Sequence, residues 1–330
     1  MSDSTIAPDG EEIVFTTLTS PSGLTVRFMD WGATWLSCRV PVGTANRETL
    51  LQCSTVADHL AQSAYLGATV GRFANRIENA QFKIDQELTN LDANAGQHSL
   101  HGGPLGFGHR RWKIHNQKDN AVTFQIESHH GDQGFPGKLT ANACYSLNGD
   151  DTVSINFSAT TDAATPVSLT NHAYFNLADG QAPALDHTAQ IRADKFLPVD
   201  QHGIPVSGPL PVGETPFDFR KPRRIERPYD HAFVLHDKNI SQPDVTLWGA
   251  DGTLRLDIVT DMPAVQLYTG NHLENENFAV NQPLSRHSGI AIETAFLPDA
   301  PNQNYADQPS CILRPGQTYD SRTDFRFRTT

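Results

Sequence analysis

The sequence predicts an all-β protein, and three observations carry that prediction. Apolar and polar residues alternate in short runs along most of the chain, and helical periodicity is almost missing. Glycine and proline, 24 and 21 of 330 residues, supply the turns that many short strands need. In order, the alternating runs are 24–29, 122–127, 153–159, 254–259 and 291–296. Between them stand Asn148-Gly149-Asp150, Asp179-Gly180, His202-Gly203, Asp251-Gly252 and Pro315-Gly316, each a turn signal. One short helix is expected over 55–63, with Thr55 as its N-cap. Phe196-Leu197-Pro198 and Phe296-Leu297-Pro298 read as two strands that each stop at a proline. The proline-dense stretch 198–228 reads as one long connection, and no low-complexity linker divides the chain. A single domain over 1–330 is expected, with 1–11 as a loose leading segment.

Composition narrows the function classes. Hydrophobic residues at 38% and charged residues at 19% describe a globular chain. The formal net charge of −12 argues against a nucleic-acid partner. The densest basic stretch, Arg220, Lys221, Arg223 and Arg224, is broken by Pro222 and followed by Glu226, which suits a solvated loop. Cys38, Cys53, Cys144 and Cys311 are scattered without a metal-binding spacing, so free thiols in a reducing compartment are expected. The first dozen residues are polar and acidic, unlike a signal peptide. No apolar run approaches the ~20 residues that span a bilayer. These features predict a cytoplasmic protein with no membrane partner.

Candidate chemistry sits in five segments. If 167–174 is a strand, Ser168, Thr170, His172 and Tyr174 share one face, which lines either a polar cleft or an exposed surface. In 288–296, Ile290 and Ile292 share one face and Ala291 and Glu293 the other. Glutamate is depleted in strands, so Glu293 lies either at a rim or where a partly buried base with a raised pKa is needed. Asn75 and Arg76 place donors beside the turn opened by Gly71. His101 precedes Gly102 and Gly103, where backbone can approach a ligand closely. Asp230 sits at the mouth of an apolar strand, where a turn cap is the plainer role. Dinucleotide loops, HExxH zinc helices and GxSxG elbows are all missing from the sequence.

Taken in order, ten runs resemble the aldose 1-epimerase (galactose mutarotase) family, particularly its bacterial members. They are GRFANRI (71–77), SLHGG (99–103), GDQGFPG (131–137), TNHAYFNL (170–177), FLPVD (196–200), FDFR (217–220), YDHAFVL (229–235), QLYTGN (266–271), SGIAIE (288–293) and LRPG (313–316). The resemblance implies a large antiparallel β-sandwich, the galactose mutarotase-like supersandwich, with no cofactor, no metal and no obligate protein partner. It implies that His172 is the acid that protonates the ring oxygen of a free hexose and that Glu293 is the base for the anomeric hydroxyl. Asn75, Arg76, His101, Asp230 and Gln266 would hold the sugar, with Tyr174 beside the acid. His272 departs from the family, which often has Phe there.

The implied reaction opens and closes a cyclic hemiacetal, interconverting its α and β anomers. One group takes the C1 hydroxyl proton while another delivers a proton to the ring oxygen. An imidazolium and a carboxylate on opposite sides of the ring would do this, with Asp230 helping to keep His172 protonated. Rival functions are a glycoside hydrolase, a non-catalytic sugar-binding protein and a hexose-6-phosphate 1-epimerase. The first needs a second catalytic acid. The last needs basic residues beyond Arg76.

Overall fold

The computed structural model describes residues 5–149, 151–178, 182–236, 242–275, 284–303, 305 and 308–329. Asp150 and the predicted turn at Asp179-Gly180 lie outside them. Three large sheets make up the molecule, and every ladder within them is antiparallel. A four-stranded sheet runs from Phe15–Thr19 to Ala45–Glu48 in chain order. A nine-stranded sheet has Thr152–Thr161, Tyr319–Thr329 and Leu254–Thr260 at its centre. A six-stranded sheet follows the order Tyr174–Phe175, Ile290–Ala295, Ala264–Tyr268, Asp230–Leu235, Ala193–Phe196 and Leu210–Pro211.

Side-chain alternation explains why these sheets stack. In Leu139–Asn148, Leu139, Ala141, Ala143, Tyr145 and Leu147 are buried while their neighbours are half-exposed. They join one contiguous core with Phe28 and Trp35 of the four-stranded sheet and with Phe233, Leu267, Ile290 and Ile292 of the six-stranded sheet. Burying each large apolar side chain contributes about 1.5–3 kcal/mol, so this shared core fixes how the sheets face one another. The five alternating runs all form strands, and each extends or shifts by one or two residues from its predicted ends. Helix Val56–Ala61 starts at Thr55, whose hydroxyl accepts the Asp58 N–H. The strands Ala193–Phe196 and Ile290–Ala295 both end before a proline, as expected. Residues 198–228 form the long connection between Ala193–Phe196 and Asp230–Leu235, carrying only two short strands.

Two expectations are corrected. Residues 5–11 are not loose: Ala7 is buried, Ile6 bridges Glu12, and Arg111 fastens Asp9 with bonds of 2.6 and 2.9 Å. Arg111 also donates to the carbonyls of Glu11 and Glu12. The anchor comes from about a hundred residues away, beyond the reach of local reading. The second correction concerns 167–174, which is not one alternating strand. Only Thr170–Asn171 and Tyr174–Phe175 are strands, His172 and Ala173 fall between them, and every residue from Thr165 to Ala178 is buried.

Candidate active site

The central strands of the six-stranded sheet build the floor. Gln266 pairs with Glu293 on one side and Ala232 on the other, and Tyr268 likewise pairs with Ala291 and Asp230. Because alternate residues share a face, Glu293, Gln266, Tyr268 and Asp230 all rise from the same side of the sheet. The strand Ile290–Ala295 is buried on both faces, with Ile290 and Ile292 in the core as predicted and Glu293 turned the other way. The Asp230 carboxylate accepts a 2.6 Å bond from Gln266 Nε2 and faces Arg76 Nη1 at 4.0 Å.

The wall comes from two chain crossings. Arg76–Ile77 pairs with Ser99–Leu100, which brings Asn75 beside His101. The His101 N–H donates to the Asn75 carbonyl, and the Asn75 N–H donates back to His101 Nδ1 at 3.2 Å. Asn75 and His101 both adopt positive φ, at 65° and 52°, and the reciprocal bonds hold them there. Gly102 is needed for a different approach from the one expected. A Cβ there would lie 1.9 Å from the Gly71 carbonyl oxygen, so its close neighbour is the protein's own chain. Gly203, in the long connection, packs so tightly on Arg76 that a Cβ would lie 2.7 Å from the guanidinium carbon.

His172 enters between the two short strands. Its N–H donates to the Ala68 carbonyl, and its carbonyl accepts from the Gly67 N–H. Its Nε2 stands 3.6 Å from Glu293 Oε1, with the two residues only 4% and 3% exposed. These groups line one cavity of about 230 Å³, together with Asn75, Arg76, His101, Tyr174 and Asp230. Gln266 lies behind Asp230 and is not on the lining, so the sequence set converges on one place with one member set back. Tyr65, Tyr268, Ser63 and Leu273 also line it and were not singled out in the sequence. Tyr268 lay within reach, two residues from Gln266 on the same strand face. Tyr65 sits in a turn and carries no periodic signal. His272 stands exposed at the mouth, its N–H on the Tyr268 hydroxyl.

Electrostatics correct two details of the sequence picture. His172 and Glu293 do not flank a ring from opposite sides; they stand side by side. Asp230 does not act on His172, since it bears on Glu293, whose pKa it raises after burial has already done so. Burial pushes Glu293 up to about 8 and His172 down to about 4. At neutral pH these opposite shifts leave one proton on the pair. His101 is held neutral, well below the ordinary imidazole range, first by burial and then by the charges of His172, Arg76 and His109.

His101, His172 and Glu293 bring one ligand atom each within 4.8 Å of one another, a spacing a metal ion could use. The donor set argues against that use. A metal-bound imidazole donates its second N–H outward, whereas Nδ1 of His101 accepts the Asn75 N–H. Neutral His101 therefore carries its proton on Nε2 and presents a hydrogen-bond donor to the cavity. None of the four cysteines is on the cavity lining or in a disulfide.

The fold and cavity together define a class: an antiparallel β-sandwich enzyme whose one-proton imidazole–carboxylate pair lies in a small polar hollow. The family model for aldose 1-epimerase matches residues 15–326. The chain is 43% identical to the aldose 1-epimerase of Escherichia coli, over 98% of this chain and 97% of that one. It is 36% identical to human galactose mutarotase, over 92% and 91% of the two chains. The crystal structure of galactose 1-epimerase from Lactobacillus acidophilus superposes with a TM-score of 0.85 at 28% identity, covering 97% of this chain and 96% of that one. The chain belongs to the aldose 1-epimerase family, and is an isomerase.

Proposed function

We propose that this enzyme interconverts the α and β anomers of a free hexose such as galactose or glucose, with Glu293 as base and His172 as acid. The observation that carries the proposal is the 3.6 Å separation of Nε2 and Oε1 inside one cavity. The two oxygens that must exchange protons, the anomeric hydroxyl and the ring oxygen, sit on the same carbon. Neighbouring groups on one wall can therefore serve both, where groups across a ring could not.

Glu293 takes the proton from the C1 hydroxyl while His172 delivers one to the ring oxygen. The C1–O5 bond breaks, and its electron pair goes to the ring oxygen as the C1–O1 bond becomes a carbonyl. Rotation about C1–C2 turns the other carbonyl face to the ring-closing hydroxyl. On closure Glu293 gives its proton back to O1 and His172 recovers one from the ring-closing hydroxyl. Each transfer typically contributes about 10²- to 10⁴-fold. The pair starts with one proton and ends with one, and sugar hydroxyls donating to Glu293 favour the carboxylate–imidazolium form. Arg76, the His101 Nε2–H and Asn75 hold hydroxyls, with Asp230 on the far wall and Gln266 bonded to it from outside the lining. Gln266 Oε1 has no hydrogen-bond partner among the described residues, which suits an incoming hydroxyl.

A phosphorylated hexose fits less well. Among the described residues Arg76 is the only guanidinium on the cavity lining, and it already faces Asp230. We place the enzyme in the cytoplasm because its cysteines are scattered and none forms a disulfide. Polarimetry on freshly dissolved α-D-galactose and α-D-glucose tests the proposal. The enzyme should speed the approach to an unchanged final rotation; an unaltered rate for both sugars would refute it.

A further inference from the structure

The loop 63–68 follows helix Val56–Ala61 and carries a side chain that no motif marks. Tyr65 adopts φ +58°, a left-handed conformation that a bulky L-residue rarely takes. Its main chain is laced to the acid: its carbonyl accepts the Ala68 N–H, while Gly67 and Ala68 bond both sides of His172. Asn171 Nδ2 adds a 2.7 Å bond to the Gly67 carbonyl. The ring lies 4.9 Å from that of His101 and 6.1 Å from that of His172, with His109 at 4.9 Å on its other flank. The phenol hydrogen-bonds with the side chain of Asn94. That same amide clamps Leu100 twice, donating to its carbonyl at 3.0 Å and accepting its N–H at 2.7 Å. Leu100 immediately precedes His101.

We propose that Tyr65 is a positioning residue for the acid–base pair, wedged so that its ring fixes the imidazoles of His101 and His172 and keeps water from them. The inference rests on the acid–base assignment above. Removing the ring opens a gap beside both imidazoles without taking away any group that exchanges a proton with the sugar. His172 is otherwise faced by Glu293 of Ile290–Ala295 at 3.6 Å, by Tyr174 and Tyr268 at ring distances of 4.9 and 6.2 Å, and by His101 at 5.2 Å. Arg76 and Asp230 are the other charges of the cavity. Water admitted at the Tyr65 side lets His172 take up a proton more readily.

The test is polarimetric kinetics of the full chain from acid to alkaline pH, for Tyr65→Phe, Tyr65→Gly and Asn94→Ala. Glycine accepts positive φ, so Tyr65→Gly removes the ring without straining the loop. Tyr65→Phe should stay within about threefold of the parent. Tyr65→Gly should lose about 10²-fold in kcat, as expected for a catalytic group displaced by about 1 Å, with KM little changed and the acid limb of the profile moved to higher pH. Asn94→Ala should show the same pattern at a smaller size, and it carries the test if Tyr65→Gly does not fold. A Tyr65→Gly enzyme with parental kcat and an unmoved acid limb overturns the proposal. So does a change confined to KM, which would make Tyr65 a sugar platform. If Glu293→Gln keeps its rate in the same assay, the acid–base assignment fails instead.

Discussion

Arg72 and the His172–Glu293 pair are buried to nearly the same degree, yet they are treated in opposite ways. Arg72, 2% exposed, spends all three guanidinium nitrogens on Ser128, His129, Pro136 and Gly137 carbonyls and on the Ser128 and Thr165 hydroxyls. Four residues along the chain, Arg76 reaches the cavity, and around it polar atoms are left short of partners. His172 Nδ1 meets no hydrogen-bond partner outside its own residue, and Gln266 Oε1 meets none. A buried polar group with every bond made is structure. A buried polar group short of bonds is costly to the fold, and beside a cavity it is open to a ligand.

Substitutions at the two places should therefore fail in different assays. Glu293→Gln should lose about 10³-fold or more in mutarotation, given the usual worth of a general base, and keep or raise its thermal stability. The rise should be largest at alkaline pH. Glu293 keeps its proton up to about 8 when folded but loses it near 4.5 when unfolded, so its burial costs stability as pH climbs through that window. Calorimetry at two pH values checks this, and a Glu293→Gln protein less stable than the parent at alkaline pH would erase the contrast.

Arg72→Met should show the reverse. It strands several buried carbonyls, so a loss of about 3 kcal/mol or more is expected in denaturant unfolding, with sugar affinity intact in the folded fraction. Near-parental stability would mean that the Arg72 knot is dispensable.

A smaller effect separates the charges inside the cavity. With one proton on the pair, kcat/KM should be bell-shaped, falling below about 4 and above about 8. Asp230→Asn should move the alkaline limb to lower pH, because Asp230 helps to hold the proton on Glu293. A limb that stays put, or moves up, removes Asp230 from that role.

The smallest effect lies outside the site. Burial pushes His59 and His187 down to about 4. Unfolded, each binds a proton below about 6.5, so acid favours the open chain: stability should fall as pH drops from about 6.5 to about 4 and be indifferent to these groups above it. Up to about 3 kcal/mol per histidine is at stake. Replacing His59 by Leu should flatten the acid side of the stability profile; an unchanged slope there counts against it.

Much of this was legible in the residues. Alternation over 122–127 or 254–259 announces a strand because a pleat repeats every two residues, and Glu293 stood out as a charge in an apolar run. His172 was reachable only through its motif, since the strand is interrupted there and the predicted face of 167–174 does not exist. Asp230 was assigned to the wrong partner because pairing register, which sets Gln266 between it and Glu293, is not written in any one strand. Tyr65 and the anchoring of residues 5–11 by Arg111 depend on contacts between distant segments, and local pattern carries no trace of them.

The tight seat of Arg76 against Gly203 gives the long proline-rich connection a say in what the pocket accepts. A side chain at 203, or a shortened loop, would shift the guanidinium while leaving every sugar-facing residue in the text of the gene unaltered. Divergence among descendants of this enzyme, or a laboratory search for new sugar preferences, has a lever there that spares the proton chemistry.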